Sequence, residues 1–279
     1  MADGRLERLE GIVSTYGGCL VAYSGGVDST FLLAVARRVL GERVAAVTVR
    51  TLFHEPEEID EARRRAVAIG VTHGVLALDL QAHPEVLANP HDRCYHCKRL
   101  VFSALQRRAG ELGLPVLADA THAGDLLERR PGIRALRELG VASPLAEAGL
   151  AKADIRALSA ALGIEGAERP SSPCLATRVP FDSPITEERL RRIAGAERTL
   201  RARGFAGIRV RDYGDLARIE VRPEDLERAA ARPERSGIVG SLRGLGYRYV
   251  TLDLAGYRSG SMDEALPASR LAPTGGREG

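Results

Sequence analysis

The sequence predicts an α/β fold: a mostly parallel sheet covered by helices on both faces, followed by a smaller α+β module. Two observations carry this. Between residues 18 and 162, short apolar runs alternate with stretches of helical spacing, the pattern of parallel strands joined by crossover helices. Beyond about residue 165 the chain turns into a proline-punctuated stretch and then into strands that alternate apolar and charged residues. A length of 279 residues suits two domains of ~100–200 residues. The predicted organisation is a first domain over 1–165, a second over 166–265 and a disordered Pro/Gly-rich tail over 266–279.

The elements follow in order. Residues 4–15 read as an amphipathic lead-in helix, and 18–23 as a buried strand. Helical spacing over 30–40 ends at Gly41, which suits a C-cap. Further strands are predicted over 44–49, 75–80 and 116–119, and further helices over 56–69, 94–112 and 151–162. Pro170, Pro173, Pro180 and Pro184 mark the boundary loop. An arginine-rich helix follows over 186–203, N-capped by Ser183 or Thr186. Strands over 208–211 and 217–221 form a hairpin around Tyr213-Gly214-Asp215, and a helix from Pro223 and a strand over 247–254 complete the module.

Composition narrows the function. Forty basic residues against 37 acidic ones give a net charge of +3, without the strong bias of a dedicated nucleic-acid binder. No apolar run approaches the ~20 residues of a membrane span. The start, Met-Ala-Asp-Gly-Arg-Leu-Glu, has no apolar signal core, so a cytoplasmic location is expected. Four cysteines are too few for a disulfide scaffold. Only Lys98 and Lys152 are lysine among the 40 basic residues, so each marks a place where a point-charge amine is retained.

The first motif is Ser24-Gly25-Gly26-Val27-Asp28-Ser29, followed by Thr30, between a predicted strand and a predicted helix. Two glycines let the backbone approach an anion, the helix-start amides point at it, and Ser24, Ser29 and Thr30 add hydroxyls. It is neither a Walker loop nor a dinucleotide fingerprint. Asp28 would repel a bare phosphate, but carboxylate plus phosphate is an ordinary environment for Mg2+. The hexapeptide closely resembles the pyrophosphate loop of the PP-loop ATP pyrophosphatases. That resemblance implies a Rossmann-like sheet, ATP with Mg2+, cleavage between the α and β phosphates, and adenylation of an oxygen that a nitrogen or sulfur nucleophile then replaces.

The cysteines are the second signal. Cys94-Tyr95-His96-Cys97 is a C-x-x-C followed by Lys98, and Cys174 stands in Ser172-Pro173-Cys174-Leu175-Ala176-Thr177-Arg178. Cys19, inside a predicted buried strand, reads as a core residue. The other three admit a redox pair, a zinc site completed by His91 or His96, a site-open [4Fe-4S] cluster, or three unrelated thiols. These motifs, with Arg130-Pro131-Gly132-Ile133-Arg134-Ala135-Leu136 and the run from Ser143-Pro144-Leu145 to Lys152-Ala153-Asp154-Ile155-Arg156, resemble the LarE-type sulfur transferases over about residues 5–255.

That resemblance implies sulfur insertion into a pyridinium dicarboxylate mononucleotide, in making the nickel-pincer nucleotide cofactor of lactate racemase. One branch of the family sacrifices the cysteine matching Cys174. The other holds a [4Fe-4S] cluster on the positions matching Cys94, Cys97 and Cys174, with sulfide from an exogenous donor, and this chain resembles that branch. Family members assemble as homo-oligomers, often hexamers. The resemblance also matches Arg209 and Arg211 to the arginines that grip the substrate phosphate, and Glu197 and Glu220 to acidic metal-binding positions; both glutamates otherwise read as surface carboxylates. Lys98 is expected to neutralise substrate or ATP, and Lys152 to sit at a helix end. Thr121 and Asp125, after the fourth strand, are expected at ATP or Mg2+, while His122 reads as a solvent-facing loop residue and the Arg63-Arg64-Arg65 run as a solvated helix face. A tRNA thiolation enzyme is the alternative, but no RNA-binding module or basic stripe is visible. A non-enzymatic cluster scaffold leaves the glycine loop without a role, and a glutamine-fed amide synthase leaves the cysteines idle.

Overall fold

β-Branched and leucine runs build the first sheet. The computed structural model describes residues 2–127, 131–165, 173–258 and 262; Arg130, Ser172 and the predicted tail from 266 lie outside the described residues. The chain divides into one unit of residues 1–86 and 90–172 and another of 87–89 and 173–279. The elements up to residue 161 are α1 (Ala2–Ser14), β1 (Cys19–Ala22), α2 (Val27–Leu40), β2 (Val44–Arg50), α3 (Pro56–Ile69), β3 (Thr72–Ala77), α4 (Pro84–Leu87), α5 (Arg93–Glu111), β4 (Val116–Ala118), α6 (Ala123–Leu127), α7 (Pro131–Glu138), α8 (Pro144–Glu147) and α9 (Lys152–Ala161). The four strands are parallel in the order β3-β2-β1-β4, the Rossmann-like sheet expected.

Both faces of this sheet are covered, which is why β1 reads as continuously apolar. Alternate residues enter different cores. Cys19 and Val21 pack with Leu9 and Val13 of α1, Phe31 and Leu32 of α2, and Ile155 and Leu158 of α9. Leu20 instead joins Phe102 and Leu105 of α5 and Leu136 of α7.

Two departures have physical causes. The third strand spans Thr72–Ala77 rather than 75–80, because β2 pairs with it from Ala45↔Thr72 to Arg50↔Ala77. The apolar signal at Leu80 belongs to a single buried side chain in an otherwise exposed bend beyond the strand, while the edge position tolerates Thr72 and His73 inside it. The short helices α4, α6 and α8 are too brief to leave a periodic signal, whereas α7 is amphipathic over eight residues but opens on Pro131-Gly132, which carries a turn signal.

The second unit contains α10 (Glu187–Ala202), β5 (Arg209–Tyr213), β6 (Leu216–Glu220), α11 (Leu226–Ala230), α12 (Glu234–Gly244) and β7 (Tyr249–Leu252). β5 and β6 form the expected antiparallel hairpin, and β7 runs parallel to β6. Thr186 is the N-cap of α10, its hydroxyl accepting from the Arg189 amide at 3.2 Å. The helix from Pro223 is a 3-10 turn (Pro223–Asp225) leading into α11, and α12 was not legible in the sequence. Gly237, Gly240 and Gly244 depress its helix propensity, and burial of Ile238 and Leu242 overrides them. Residues 87–89 belong to this unit: the amides of Asp182 and Ile185 bond the carbonyls of Asn89 and Leu87.

Candidate active site

The sheet order places a switch point at the carboxyl ends of β1 and β4, where open α/β sheets bind ligands. The glycine loop emerges from β1 at this place. Gly25 has φ +71°, and a Cβ there would lie 2.9 Å from Ala62 of α3, so conformation and packing both demand glycine. Gly26 is the N-cap of α2 and has no side chain to satisfy the first helical amides, which suits an incoming anion. Ser29 Oγ donates to the Gly26 carbonyl at 3.1 Å and lies 3.0 Å from Ser24 Oγ. Thr30, buried at 2% exposure, lies 3.2 Å from the Tyr23 hydroxyl.

Asp28 stands in the first turn of α2. Lys152 Nζ donates to its Oδ2 at 3.0 Å, so this lysine is the counterion of the loop carboxylate as well as the first residue of α9. Asp28 Oδ1 is buried and accepts no hydrogen bond. A buried carboxylate oxygen left open beside helix-start amides fits a magnesium ligand, since Mg2+ in such sites takes one or two carboxylates and the rest from phosphate and water.

Arg65 departs from expectation. Arg63 and Arg64 are exposed, but the Arg65 side chain is 11% exposed and donates to the Gly25 carbonyl and, at 2.7 Å, to Glu61.

After β4, Asp119 is a buried carboxylate that in the sequence reads only as the end of a strand. Ser143 Oγ donates to it at 2.6 Å, Thr121 Oγ1 also donates to it, and Lys98 Nζ lies 3.9 Å away. Its signal was a charged residue closing an apolar strand at the ligand-binding edge. Gly132 makes room for Lys98: a Cβ there would lie 2.7 Å from Lys98 Cδ. Asp125 is buried and accepts from the His122 amide at 3.1 Å. His122 is not solvent-facing; it is 9% exposed, and its Nδ1 accepts from the Asp125 amide at 3.2 Å. Along the same sheet edge, a cleft of about 610 Å3 opens at the ends of β2 and β3, lined by Thr51, His54, Ile59, Arg63 and Asp79 among others. Burial pushes the His54 pKa down.

The four cysteines divide three to one. Cys19 is 1% exposed, and burial pushes its thiol up to about 12, which makes it an inert core residue. Cys94 and Cys97 lie one turn apart on the first turns of α5, hence on one face, with Cys94 exposed and Arg93 Nη2 3.8 Å from its sulfur. Tyr95, buried between them, donates to Glu138 of α7 at 2.6 Å and anchors this helix start.

Cys174 belongs to the second unit and is held through its backbone. Its carbonyl accepts from Thr177 Oγ1 at 2.9 Å and Arg178 Nη1 at 3.2 Å, at the head of a 3-10 turn (Leu175–Arg178). Arg178 is 2% exposed and makes a bidentate pair with Glu197, at 2.9 and 3.2 Å. Arg211 makes a second, with Glu220 at 3.0 and 2.8 Å, and donates to the Thr177 carbonyl. Glu197 and Glu220 are 1% and 0% exposed, which excludes the reading of both as surface carboxylates. Each answers a buried arginine, an arrangement that braces the Cys174 turn. Arg209 shares a strand face with Arg211 and stacks on Tyr257 at 4.9 Å. Burial, with Arg178 and Arg211 nearby, lowers its pKa, the mark of a position where an anion would be stabilising. Within each unit, among the described residues, no three His, Cys, Asp or Glu side chains form a metal-binding group.

Residues 17–103 match the asparagine synthase family model, which covers the glycine loop and the C-x-x-C. The pyridinium-3,5-bisthiocarboxylic acid mononucleotide synthase of Lactiplantibacillus plantarum is 35% identical over 253 residues, covering 90% of this chain and 91% of that protein. An uncharacterised protein of Synechocystis is 39% identical over 266 residues, 95% of this chain and 99% of that one. The tRNA-specific 2-thiouridylase MnmA of Azorhizobium caulinodans is 31% identical over 215 residues, 63% of this chain and 55% of that one. With its glycine loop at the switch point and full-length likeness to a thiocarboxylate synthase, the chain belongs to the LarE-type family of PP-loop ATP pyrophosphatases and is an ATP-using sulfur transferase.

Proposed function

We propose that the chain adenylates a ring carboxylate of pyridinium-3,5-biscarboxylic acid mononucleotide and inserts sulfur to give the thiocarboxylate, toward the nickel-pincer nucleotide cofactor. The observation that carries this reading is a glycine loop with an open Asp28 oxygen, in a chain aligned over 90% of its length with a synthase named for the corresponding bisthiocarboxylic acid.

The chemistry requires activation, because an oxide is a poor leaving group. A carboxylate oxygen attacks the α-phosphorus of ATP, pyrophosphate departs, and an acyl adenylate forms. Sulfide then attacks the acyl carbon, and AMP leaves with the former carboxylate oxygen. The helix-start amides at Gly26–Asp28 and the hydroxyls of Ser24, Ser29 and Thr30 bind the departing pyrophosphate. Asp28 would hold Mg2+, which supplies charge neutralisation at the phosphates, and Lys152 balances the same carboxylate. Thr121, held by Asp119, and Asp125 flank the nucleotide, and the cleft beside β2 and β3 is large enough for a nucleoside. In the first unit Lys98 neutralises substrate or ATP; in the second, Arg209 takes a phosphate, while Arg211 is paired with Glu220 and holds the Thr177 carbonyl.

Cys94, Cys97 and Cys174 are the only cysteines outside the core, which fits them as ligands of a [4Fe-4S] cluster. Bound there, such a cluster supplies an iron with an open position for sulfide. The partners in this reading are a small nucleotide substrate and a sulfide donor, with neither nucleic acid nor membrane required.

The test is anaerobic purification with iron and sulfide analysis, then incubation with ATP, Mg2+, sulfide and the dicarboxylate mononucleotide. AMP and thiocarboxylate produced over many turnovers support the reading. A single turnover that converts Cys174 to dehydroalanine moves the sulfur source to that side chain. Thiolation of tRNA, with no product from the mononucleotide, overturns the substrate assignment.

A further inference from the structure

We infer that Arg65 is a positioning residue for ATP cleavage: it holds the Gly25–Gly26 peptide with its carbonyl turned toward α3, away from the anion.

The peptide joining Gly25 to Gly26 is the weak point of the loop. Its two flanking residues carry no Cβ, so reversal of this peptide meets little steric resistance from either side chain. Reversal would present a carbonyl oxygen where the cradle needs an N–H, replacing attraction for pyrophosphate with repulsion. Local bonds oppose this only weakly: the Gly26 amide lies 3.3 Å from Ser24 Oγ.

Arg65 supplies the missing restraint. Its Nη1 donates to the Gly25 carbonyl while its Nη2 is fixed to Glu61 at 2.7 Å, so the guanidinium is aimed before any ligand arrives. Arg65 and Ala62 stand three residues apart on α3 and therefore share a face, and a Cβ on Gly25 would lie 2.9 Å from Ala62. One helix face thus closes around Gly25, with a methyl group against its Cα and a cation on its oxygen. A charge-assisted bond to this carbonyl also polarises the peptide and strengthens its N–H as a donor to an anion. Arg65 reaches the loop carbonyl rather than the ligand, so it acts through the peptide it holds.

The inference rests on the loop being the pyrophosphate cradle, and the experiment separates the two. Inorganic pyrophosphate and AMP are titrated calorimetrically, with Mg2+, into the full chain and into Arg65→Met and Arg65→Lys. The expected result is that Arg65→Met weakens pyrophosphate about tenfold, by a lost charge-assisted bond, with AMP affinity unchanged. Arg65→Lys, which keeps a donor and a charge, recovers part of the loss. Pyrophosphate binding unchanged in Arg65→Met overturns the inference while leaving the cradle intact. A parallel loss of pyrophosphate and AMP affinity also overturns it, because that marks a structural role. If the unmodified chain binds no pyrophosphate, the assignment of the loop itself fails. Should Arg65→Met not fold, Arg65→Lys decides alone: a partial loss is expected, because one amine cannot hold Glu61 and the Gly25 carbonyl in the arginine's fixed fork, and pyrophosphate affinity equal to that of the native chain overturns the inference.

Discussion

Replacing Arg178 by methionine tests how Cys174 is held. In the native structure Arg178 and Glu197 are 2% and 1% exposed and share two hydrogen bonds. Removing the arginine leaves a carboxylate buried without its principal partner, which costs roughly 3–5 kcal/mol. The lower end applies here, because the Val210 amide still donates to Glu197 at 3.2 Å and Arg201 lies 3.6 Å away. The Pro173 and Cys174 carbonyls also lose their bonds from Arg178, though the Cys174 carbonyl keeps those from the Thr177 amide and hydroxyl. The chain has no tryptophan, so urea unfolding is followed by circular dichroism at the transition of the second unit. Glu197→Leu and the double variant complete a cycle, and the double variant is expected to be more stable than the summed losses by about 2 kcal/mol, since no lone charge remains. Alkylation of Cys174, measured with Cys94 and Cys97 replaced by serine, is expected to accelerate in Arg178→Met as its turn loosens. A loss below about 1 kcal/mol, or strict additivity, refutes the assignment of this pair as the brace of the cysteine turn.

Four other outcomes follow from the same structure. Gly25→Ala combines a left-handed φ of +71° with a 2.9 Å contact to Ala62 and is expected to lower stability by about 2 kcal/mol and to abolish AMP formation. Gly26→Ala, with φ −75° and only Ser24 Oγ at 3.3 Å, is expected to fold nearly as well as the native chain in the same urea titration. Burial lowers the pKa of His54 and of His73, the latter with help from Arg63, below the ordinary 6.5, so the unfolded chain binds more protons there; stability is full above pH 6.5 and falls as pH drops toward the folded values. Urea midpoints from pH 8 to pH 5 check this, and His54→Gln with His73→Gln is expected to flatten the decline. Brief alkylation of the native protein, mapped by mass spectrometry, is expected to modify Cys94 and to spare Cys19.

The middle of the sheet was legible because β1 is covered on both faces and so is apolar without interruption, as Leu20 and Val21 show, whereas the edge strand β3, with Thr72 and His73 in it, was read out of register. The glycine loop was legible because its requirements are local: a left-handed residue, a close backbone approach and a carboxylate at a helix start. Arg65 was hidden because its partner, the Gly25 carbonyl, lies 40 residues away, and charge runs on helices ordinarily face solvent. Asp119 was hidden in the last residue of an apolar run, its meaning set by Ser143 and Lys98 from distant segments. Glu197 and Glu220 show the same limit. Their chemistry is that of surface residues until Arg178 and Arg211 are seen beside them. The two retained lysines were the better clue: each faces a carboxylate at the carboxyl edge of the sheet, Asp119 and Asp28.

The fate of one oxygen tests the central claim most directly. The dicarboxylate mononucleotide is prepared with oxygen-18 in its carboxylates and turned over with Mg2+, ATP and sulfide, and the released AMP is weighed by mass spectrometry. Activation as an acyl adenylate predicts pyrophosphate as co-product and one labelled oxygen in each AMP per thiocarboxylate formed. Release of ADP, or AMP without label alongside thiocarboxylate, contradicts the account.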